Sequence, residues 1–173
     1  MKTNTIFAIA SSVQEEVKDN GLFNKIIPQK SDWPALYDSL ITDDELRSTT
    51  RQLFTQQHYA LAVEEAFKCL NNVVKEKAKS TLDGSSLMRS AFSIRKPLLK
   101  INRLRSRSQI DQQQGYMDIF AGCMTGVRNP RAHEHRYTDK PRIALELLLL
   151  ANHLIRIVRK ATRTRASARK SPP

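Results

Sequence analysis

Only five glycines, two cysteines and one tryptophan occur in 173 residues, and aromatic side chains make up 6%. So few glycines and aromatics argue against an all-β sandwich, which needs many tight turns and strands rich in aromatic and β-branched residues. Cys69 and Cys123 have no Cys-x-x-Cys spacing. They are too few for a disulfide framework and read as reduced thiols of a cytoplasmic protein. Long apolar runs are missing as well. The opening MKTNTIFAIASS holds one lysine and the run IFAIA, with Glu15 and Glu16 close behind. That falls short of the roughly 7–15 apolar residues of a secretory signal. Nothing approaches the roughly 20 apolar residues of a membrane span, so a soluble chain is expected.

Acid is scarce beyond the first quarter of the chain. Residues 1–46 hold eight acids and four bases, whereas residues 47–173 hold nine acids and 25 bases, within a formal net charge of +12. A basic body attracts polyanions, although a basic tail serving solubility gives the same composition. The length suits one core with modest extensions. The expected domains are an N-terminal helical extension over 1–46, a helical domain over 47–162 and a disordered basic tail over 163–173.

What is present is helical periodicity. Ala60, Val63, Phe67, Leu70 and Val74 recur at three and four, with Leu53 seven residues before them. No proline or glycine interrupts 51–79. The pattern predicts one helix starting near Thr49 or Thr50, roughly 40 Å long at ~1.5 Å per residue. The segment LDGSS, residues 82–86, breaks it. In YMDIFAGCMTGV, Met117, Ile119, Phe120, Cys123, Met124 and Val127 are expected to form an apolar face, in a segment opened by Gly115. Gly122 and Gly126 on that helix suggest tight internal packing. In PRIALELLLLANHLIRIVRKATR, Thr138 or Asp139 is a capping residue and Pro141 a first-turn residue. Ile143, Leu147, Leu150, Leu154, Ile157 and Val158 make the apolar stripe, widened by Leu148, Ala151 and Ile155. The fold class is all-α, a bundle of four or five helices.

Two basic segments raise functional questions. Arg95, Lys96, Lys100, Arg103, Arg105 and Arg107 follow one another with no acid among them. They form a solvated mobile loop, or a basic arm that holds a phosphate backbone, or both, ordering only when nucleic acid is present. Between the last two helices stands GVRNPRAHEHRYTDKP, with three arginines, two histidines and two prolines. Asn129 there can cap a helical turn whose first residue is Pro130, leaving free N–H groups aimed at an anion. Arg128 just before that turn and His133 one turn inside it can then face one cleft.

The order HYALAVEEAFKCLNN, then GYMDIFAGCMTGVRNPRAH, then ALELLLLANHLIR resembles the HEPN superfamily, and within it the Ymh-type family of prokaryotic proteins. The resemblance covers about residues 50–160. Its signature arginine, polar residue and histidine match Arg128, Asn129 and His133. It implies a HEPN-like bundle and a metal-independent endoribonuclease without cofactor, or a descendant that lost the chemistry. It also implies a homodimer with the motif at the interface. The implied setting is toxin–antitoxin, abortive-infection or other phage defence, with an antitoxin or defence-system partner.

That chemistry suits the residues. RNA carries its own nucleophile, the 2′-hydroxyl, so cleavage without metal needs a base, an acid and cationic donors. Histidine, with a pKa of ~6.5, serves as base or acid, and arginine forks onto phosphate oxygens. Arg131 and His135 are secondary candidates as phosphate contacts or a second proton donor, and Tyr137 is a candidate base-stacking ring. Glu65 and His58, seven apart and hence on one helix face, can orient His133 or simply face solvent. Zinc is the rival, with His133-x-His135 joined by Cys123 or Asp139, though His-x-His alone is weak. Two non-catalytic alternatives are a nucleic-acid-binding module and a dimeric protein-interaction module.

Overall fold

The computed structural model describes residues 33–134 and 136–164. The chain divides into compact units 1–36 and 37–173. Of the first unit, residues 33–36 are described, as the opening turn of α1, Trp33–Leu40. Tyr37, Ile41 and Leu46 are fully buried in the second unit, which therefore begins ten residues before the expected position 47.

The second unit is the expected all-α bundle. After α1 come α2 (Asp44–Thr55), α3 (Tyr59–Ala78), α4 (Gly84–Ala91), α5 (Arg107–Gly122), a π turn (Cys123–Arg128), α6 (Asn129–His133) and α7 (Pro141–Lys160). Helix α3 is the spine. It packs on α2, α4, α7, the π turn and α6, and Ala62, Val63, Ala66, Phe67, Leu70 and Val74 on it are fully buried.

The single helix expected over 51–79 is two. Asp43 caps α2, its carboxylate accepting from the Leu46 N–H at 3.1 Å, so the helix starts at Asp44 and not near Thr49. It ends at Thr55, where Gln57 adopts φ 65° and the His58 N–H returns to the Leu53 carbonyl. The break needs no glycine because an aromatic corner stabilises it. Phe54 stacks on Tyr37 at 5.1 Å and meets Tyr59 edge-on at 5.2 Å. Folding back buries the apolar faces of α2 and α3 against each other, which one straight helix leaves unpartnered.

Helix α7 is also turned from expectation. Of the expected stripe Leu154 and Val158 are fully buried, as are Ala144, Leu148, Ala151 and Ile155, while Ile143 is 44% exposed and Leu147, Leu150 and Ile157 lie at the margin. The residues expected to widen the stripe are its centre, because α3 lies against that side. Helix α5 likewise starts eight residues earlier than Gly115, capped by the Ser106 hydroxyl, which accepts from the Gln109 N–H.

A short antiparallel pair was not expected. Strand β1 (Leu99–Lys100) pairs with β2 (Thr162–Arg163), Leu99 opposite Arg163 and Lys100 opposite Thr162. The pair is extended by Thr164, whose N–H donates to the Leu98 carbonyl at 2.9 Å and whose hydroxyl donates to the Pro97 carbonyl. Arg163, expected at the start of a disordered tail, is therefore part of the folded body; residues 165–173 lie outside the described residues, as do most of 1–46. No described helix is long and apolar enough to cross a membrane.

The two ends of the second unit meet at Asp43. The Asn152 side-chain oxygen accepts from the Thr42 and Asp43 N–H groups, and Arg159 pairs with both carboxylate oxygens of Asp43 and with Glu45. The Arg159 guanidinium holds the Asp43 carboxyl below its ordinary range, against the opposing effect of burial. A depressed folded-state pKa stabilises above the unfolded value of ~3.9 and is lost as pH falls through the folded value. Asp43→Asn is expected to be less stable at neutral pH and to lose stability less steeply than the wild type between about pH 5 and about pH 2. Urea unfolding across that range checks it, and parallel curves count against it.

Candidate functional site

The motif segment does not begin a helix. Helix α5 runs on through the π turn into α6, and Arg128 and Asn129 both have right-handed helical backbone, at φ −72°, ψ −48° and φ −62°, ψ −43°. The expected cap at Asn129, with free N–H groups facing an anion, is thus absent. The reason is Pro130. A proline inside an α-helix clashes with the carbonyl four residues before it and gives up one backbone bond. Widening the preceding turn to π geometry lets the chain pass through the proline without stopping.

Two arginines in this short stretch have opposite fates. Arg131 has a partner at every nitrogen. Its Nε and Nη2 donate to the two oxygens of Asp139 at 2.7 and 2.8 Å, and its Nη1 donates to the Val127 carbonyl at 2.8 Å. Its guanidinium also lies over the Tyr137 ring at 4.8 Å. Side-chain exposure is 4% for Arg131 and 5% for Asp139, so neither is free to meet a phosphate. Arg131 is therefore a structural clamp and not the expected phosphate contact. Asp139 is spent on it, so α7 begins after Lys140 with no side-chain cap. Tyr137 is half-buried with one face covered by the guanidinium, which removes that face from base stacking.

Arg128, by contrast, is unsatisfied. Its Nη1 donates to the Asn129 side-chain oxygen at 3.0 Å, and its Nε is buried without a partner, the one such side-chain atom found among the described residues. Buried polar groups are nearly always hydrogen-bonded, so an orphaned donor on a guanidinium asks for an acceptor. Asn129 and His133 are four apart on α6 and so lie one above the other on one face. The bond to Asn129 draws the Arg128 guanidinium toward that face. His133 is exposed and makes no hydrogen bond or ion pair among the described residues.

The other candidates are dispersed. His135 lies outside the described residues. His58 is the cap residue of α3 at φ −80°, ψ 58°, outside the helix, so the seven-residue spacing does not place it on the Glu65 face. Glu65 accepts from Lys68 at 2.8 Å, and Lys68 also pairs with Glu64 at 2.8 Å. Neither His58 nor Glu65 bonds to His133, although α3 packs on the π turn and α6. Arg95, Lys96, Arg103 and Arg105 are exposed and Lys100 is half-buried. Arg107 at the start of α5 pairs with Asp111 at 3.0 Å.

The zinc alternative loses two ligands. Both Asp139 oxygens are bound by Arg131, and Cys123 is buried in the π turn with its thiol pushed up to about 11 by burial. Burial pushes the Cys69 thiol up to about 12. No group of three possible metal ligands occurs among the described residues.

Gly122 and Gly126 are not packed internally, as the sequence suggested. A Cβ at Gly115, Gly122 or Gly126 meets nothing within 4 Å. Sequence reading also missed the Arg131–Asp139 pairing, and no spacing rule joins residues eight apart across a helix end. His153 is exposed, and its Nε2 shares a 3.0 Å hydrogen bond with the Tyr116 hydroxyl.

Residues 41–158 match the family model described as a protein of unknown function, Hypoth_Ymh. No curated protein and no solved structure matches the chain. The matched segment contains the Asp43 node, the clamp and the Arg128–His133 stretch, and stops before β2.

Removing one partner of a buried ion pair leaves the other charge uncompensated. Arg131→Ala is expected to cost about 3–5 kcal/mol, and the double change Arg131→Met with Asp139→Leu to recover much of it. Denaturant unfolding of the three proteins checks this. Wild-type stability in Arg131→Ala would show the pair to be solvated.

Proposed function

The chain belongs to the Hypoth_Ymh family, and we propose that it is a metal-independent endoribonuclease of the HEPN type, with Arg128, Asn129 and His133 as its active residues. The observation that carries this reading is the buried, unpartnered Nε of Arg128, five residues before an exposed, unpaired His133. A phosphate oxygen supplies the acceptor that the guanidinium lacks. Asn129 holds one arm of the fork by its 3.0 Å bond, so the donor is oriented before substrate arrives. Such preorganised donors stabilise the charge that builds on the phosphorane oxygens.

The reaction follows from RNA itself. A base takes the proton of the 2′-hydroxyl, whose oxygen attacks phosphorus. The bond to the 5′-oxygen breaks, and an acid gives that oxygen a proton. The products are a 2′,3′-cyclic phosphate and a 5′-hydroxyl. His133 fills one proton-transfer role, and the His133 of a second copy fills the other when two motifs face one cleft. The active unit is then a homodimer.

Helix α5 supports that pairing. Gly115, Ile119, Gly122 and Gly126 follow at four, three and four, one side of a helix. Ile119 is 45% exposed, and among the described residues no neighbouring atom lies within 4 Å of where the three glycine Cβ atoms would stand. Each helix-interior glycine costs roughly 0.5–1 kcal/mol against alanine, with no steric return inside the chain. Close approach of a second backbone is the return. The resemblance adds the setting, a cytoplasmic toxin–antitoxin, abortive-infection or other phage-defence system. A second reading, a nucleic-acid-binding module without cleavage, is favoured by the exposed unpaired cations of the 95–105 stretch.

Cleavage of a mixed-sequence RNA is expected to persist in EDTA and to leave cyclic-phosphate ends. His133→Ala is expected to slow it by about 10²-fold or more, and Arg128→Lys only partly to replace Arg128. Cleavage abolished by EDTA sinks the mechanism, and a folded protein that binds RNA without cutting it favours the second reading. Gly122→Ala is expected to raise the stability of the monomer by roughly 0.5–1 kcal/mol while shifting sedimentation away from the dimer. A dimer unaffected by that change places the interface elsewhere.

A further inference from the structure

The basic stretch after α4 is held in place without being neutralised. Gln113 on α5 is fully buried; its oxygen accepts from the Ile101 N–H, and its nitrogen donates to the Phe92 and Leu99 carbonyls. Asn102 donates to the Gln109 carbonyl and accepts from the Leu104 N–H, which fixes Leu104 at φ 53°. The Gln109 side-chain oxygen accepts from the Arg105 N–H at 2.8 Å. Every one of these ties is a neutral amide. At Gln113 and Asn102 the amide N–H groups donate to carbonyls, which a carboxylate could not do; at Gln109, which here only accepts, a carboxylate would hold the Arg105 N–H as well and cancel a charge.

The β1–β2 ladder then lays a second basic segment alongside, setting Arg163 opposite Leu99 and Thr162 opposite Lys100. Lys100, Arg105 and Arg163 thus stand on hydrogen-bonded backbone, and Arg95, Lys96 and Arg103 lie in the same segment between its ties. None of the six pairs with an acid among the described residues, whereas Arg47, Arg51, Arg89, Arg107, Arg131, Arg142 and Arg159 all do. No aromatic residue occurs in 95–105 or 162–164, and the exposed large apolar side chains lie elsewhere, at Leu40, Leu61, Leu82, Ile119 and Ile143.

We infer that this strand-tied basic surface is a docking site for the phosphodiester backbone of RNA, apart in sequence from the Arg128–His133 segment. The choice of RNA rests on the ribonuclease reading. The rest follows from the side chains. Four of the six are arginines, whose planar forks match phosphate oxygens. With no ring to stack a base and no apolar wedge to enter a lipid surface, the contacts read phosphates and carry little sequence preference. Because the backbone is already ordered, binding costs little conformational entropy. This replaces the expectation of an arm that orders only on nucleic acid.

Binding is measured in the His133→Ala protein, so that the probe survives, by anisotropy of a labelled mixed-sequence RNA of roughly 20 nucleotides across a salt series. Each phosphate contact removed lowers the slope of log affinity against log salt by about 0.7 for a single strand, so Arg103→Ala with Arg105→Ala should lower it by about 1.4 and Arg163→Ala alone by about 0.7. Arg51→Ala, whose guanidinium is spent on Asp38, should leave the slope unchanged. Single-stranded DNA of the same sequence should compete, since phosphates alone are read. Slopes unchanged in the loop and strand variants overturn the assignment. So do vesicles of phosphatidylglycerol whose binding these variants abolish while RNA binding stays intact. If the wild type cuts no RNA and the slopes still fall as expected, the docking surface stands and the ribonuclease reading fails alone.

Discussion

Each nitrogen of the buried Arg131 guanidinium donates a hydrogen bond within the chain, and much of the geometry around the motif follows from that. A guanidinium buried without compensation costs several kcal/mol, so its burial at α6 requires a carboxylate to come to it. Asp139 does so with both oxygens, which pulls the chain after α6 back onto the π turn. The third bond, to the Val127 carbonyl, occupies an acceptor within the widened π turn. With Asp139 committed, α7 starts at Pro141 without a side-chain cap, and its position comes from packing Ala144, Leu148, Ala151, Ile155 and Val158 into the core. One ion pair therefore sets the path of the π turn, the loop after it and the entry of the last helix.

Periodicity made α3 and α7 legible because each must bury a broad apolar face, whatever its neighbours are. It did not decide which of two adjoining stripes on α7 faces inward, since that depends on where α3 lies. Helix ends were legible only where glycine or proline marks them. The break at Gln57 rests on Phe54, Tyr37 and Tyr59 meeting in space, and the early start of α2 on the Asp43 carboxylate. At the site, Arg128, Asn129 and His133 could be picked out by residue type. The roles of their neighbours could not. Asn-Pro reads as a helix start, and only a continuous α5 turns it into a mid-helix proline. Gly122 and Gly126 read equally well as inner or outer contacts until the space beside them is known.

The excess of base over acid, 29 against 17, forces a choice of which cations are neutralised. The acids go mainly to arginines that join elements: Asp38 to α2, Asp43 and Glu45 to the end of α7, Asp139 to α6. Six of the cations left without an acid lie in the stretch held by Gln113, Asn102 and Gln109 and on the strand paired with it. Like charges so gathered repel one another and weaken the compact state. Neutral amide ties and a two-residue strand ladder keep that stretch ordered despite the repulsion, the amides both donating to and accepting from its backbone.

The same division appears on a smaller scale within the four residues Arg128–Asn129–Pro130–Arg131. Both arginines are drawn from solvent, yet one is given three acceptors and the other keeps an idle Nε. On the proposed chemistry that asymmetry matters. A donor in a partly buried setting interacts more strongly with an arriving anion than one in open water, because less solvent screens it. Were Arg131 also free, two forks a turn apart would compete for one phosphate and blur its position relative to His133. Saturating Arg131 leaves a single oriented donor beside an exposed imidazole that can exchange protons with water. Stability is spent at Arg128 and secured at Arg131, three residues along the same helix.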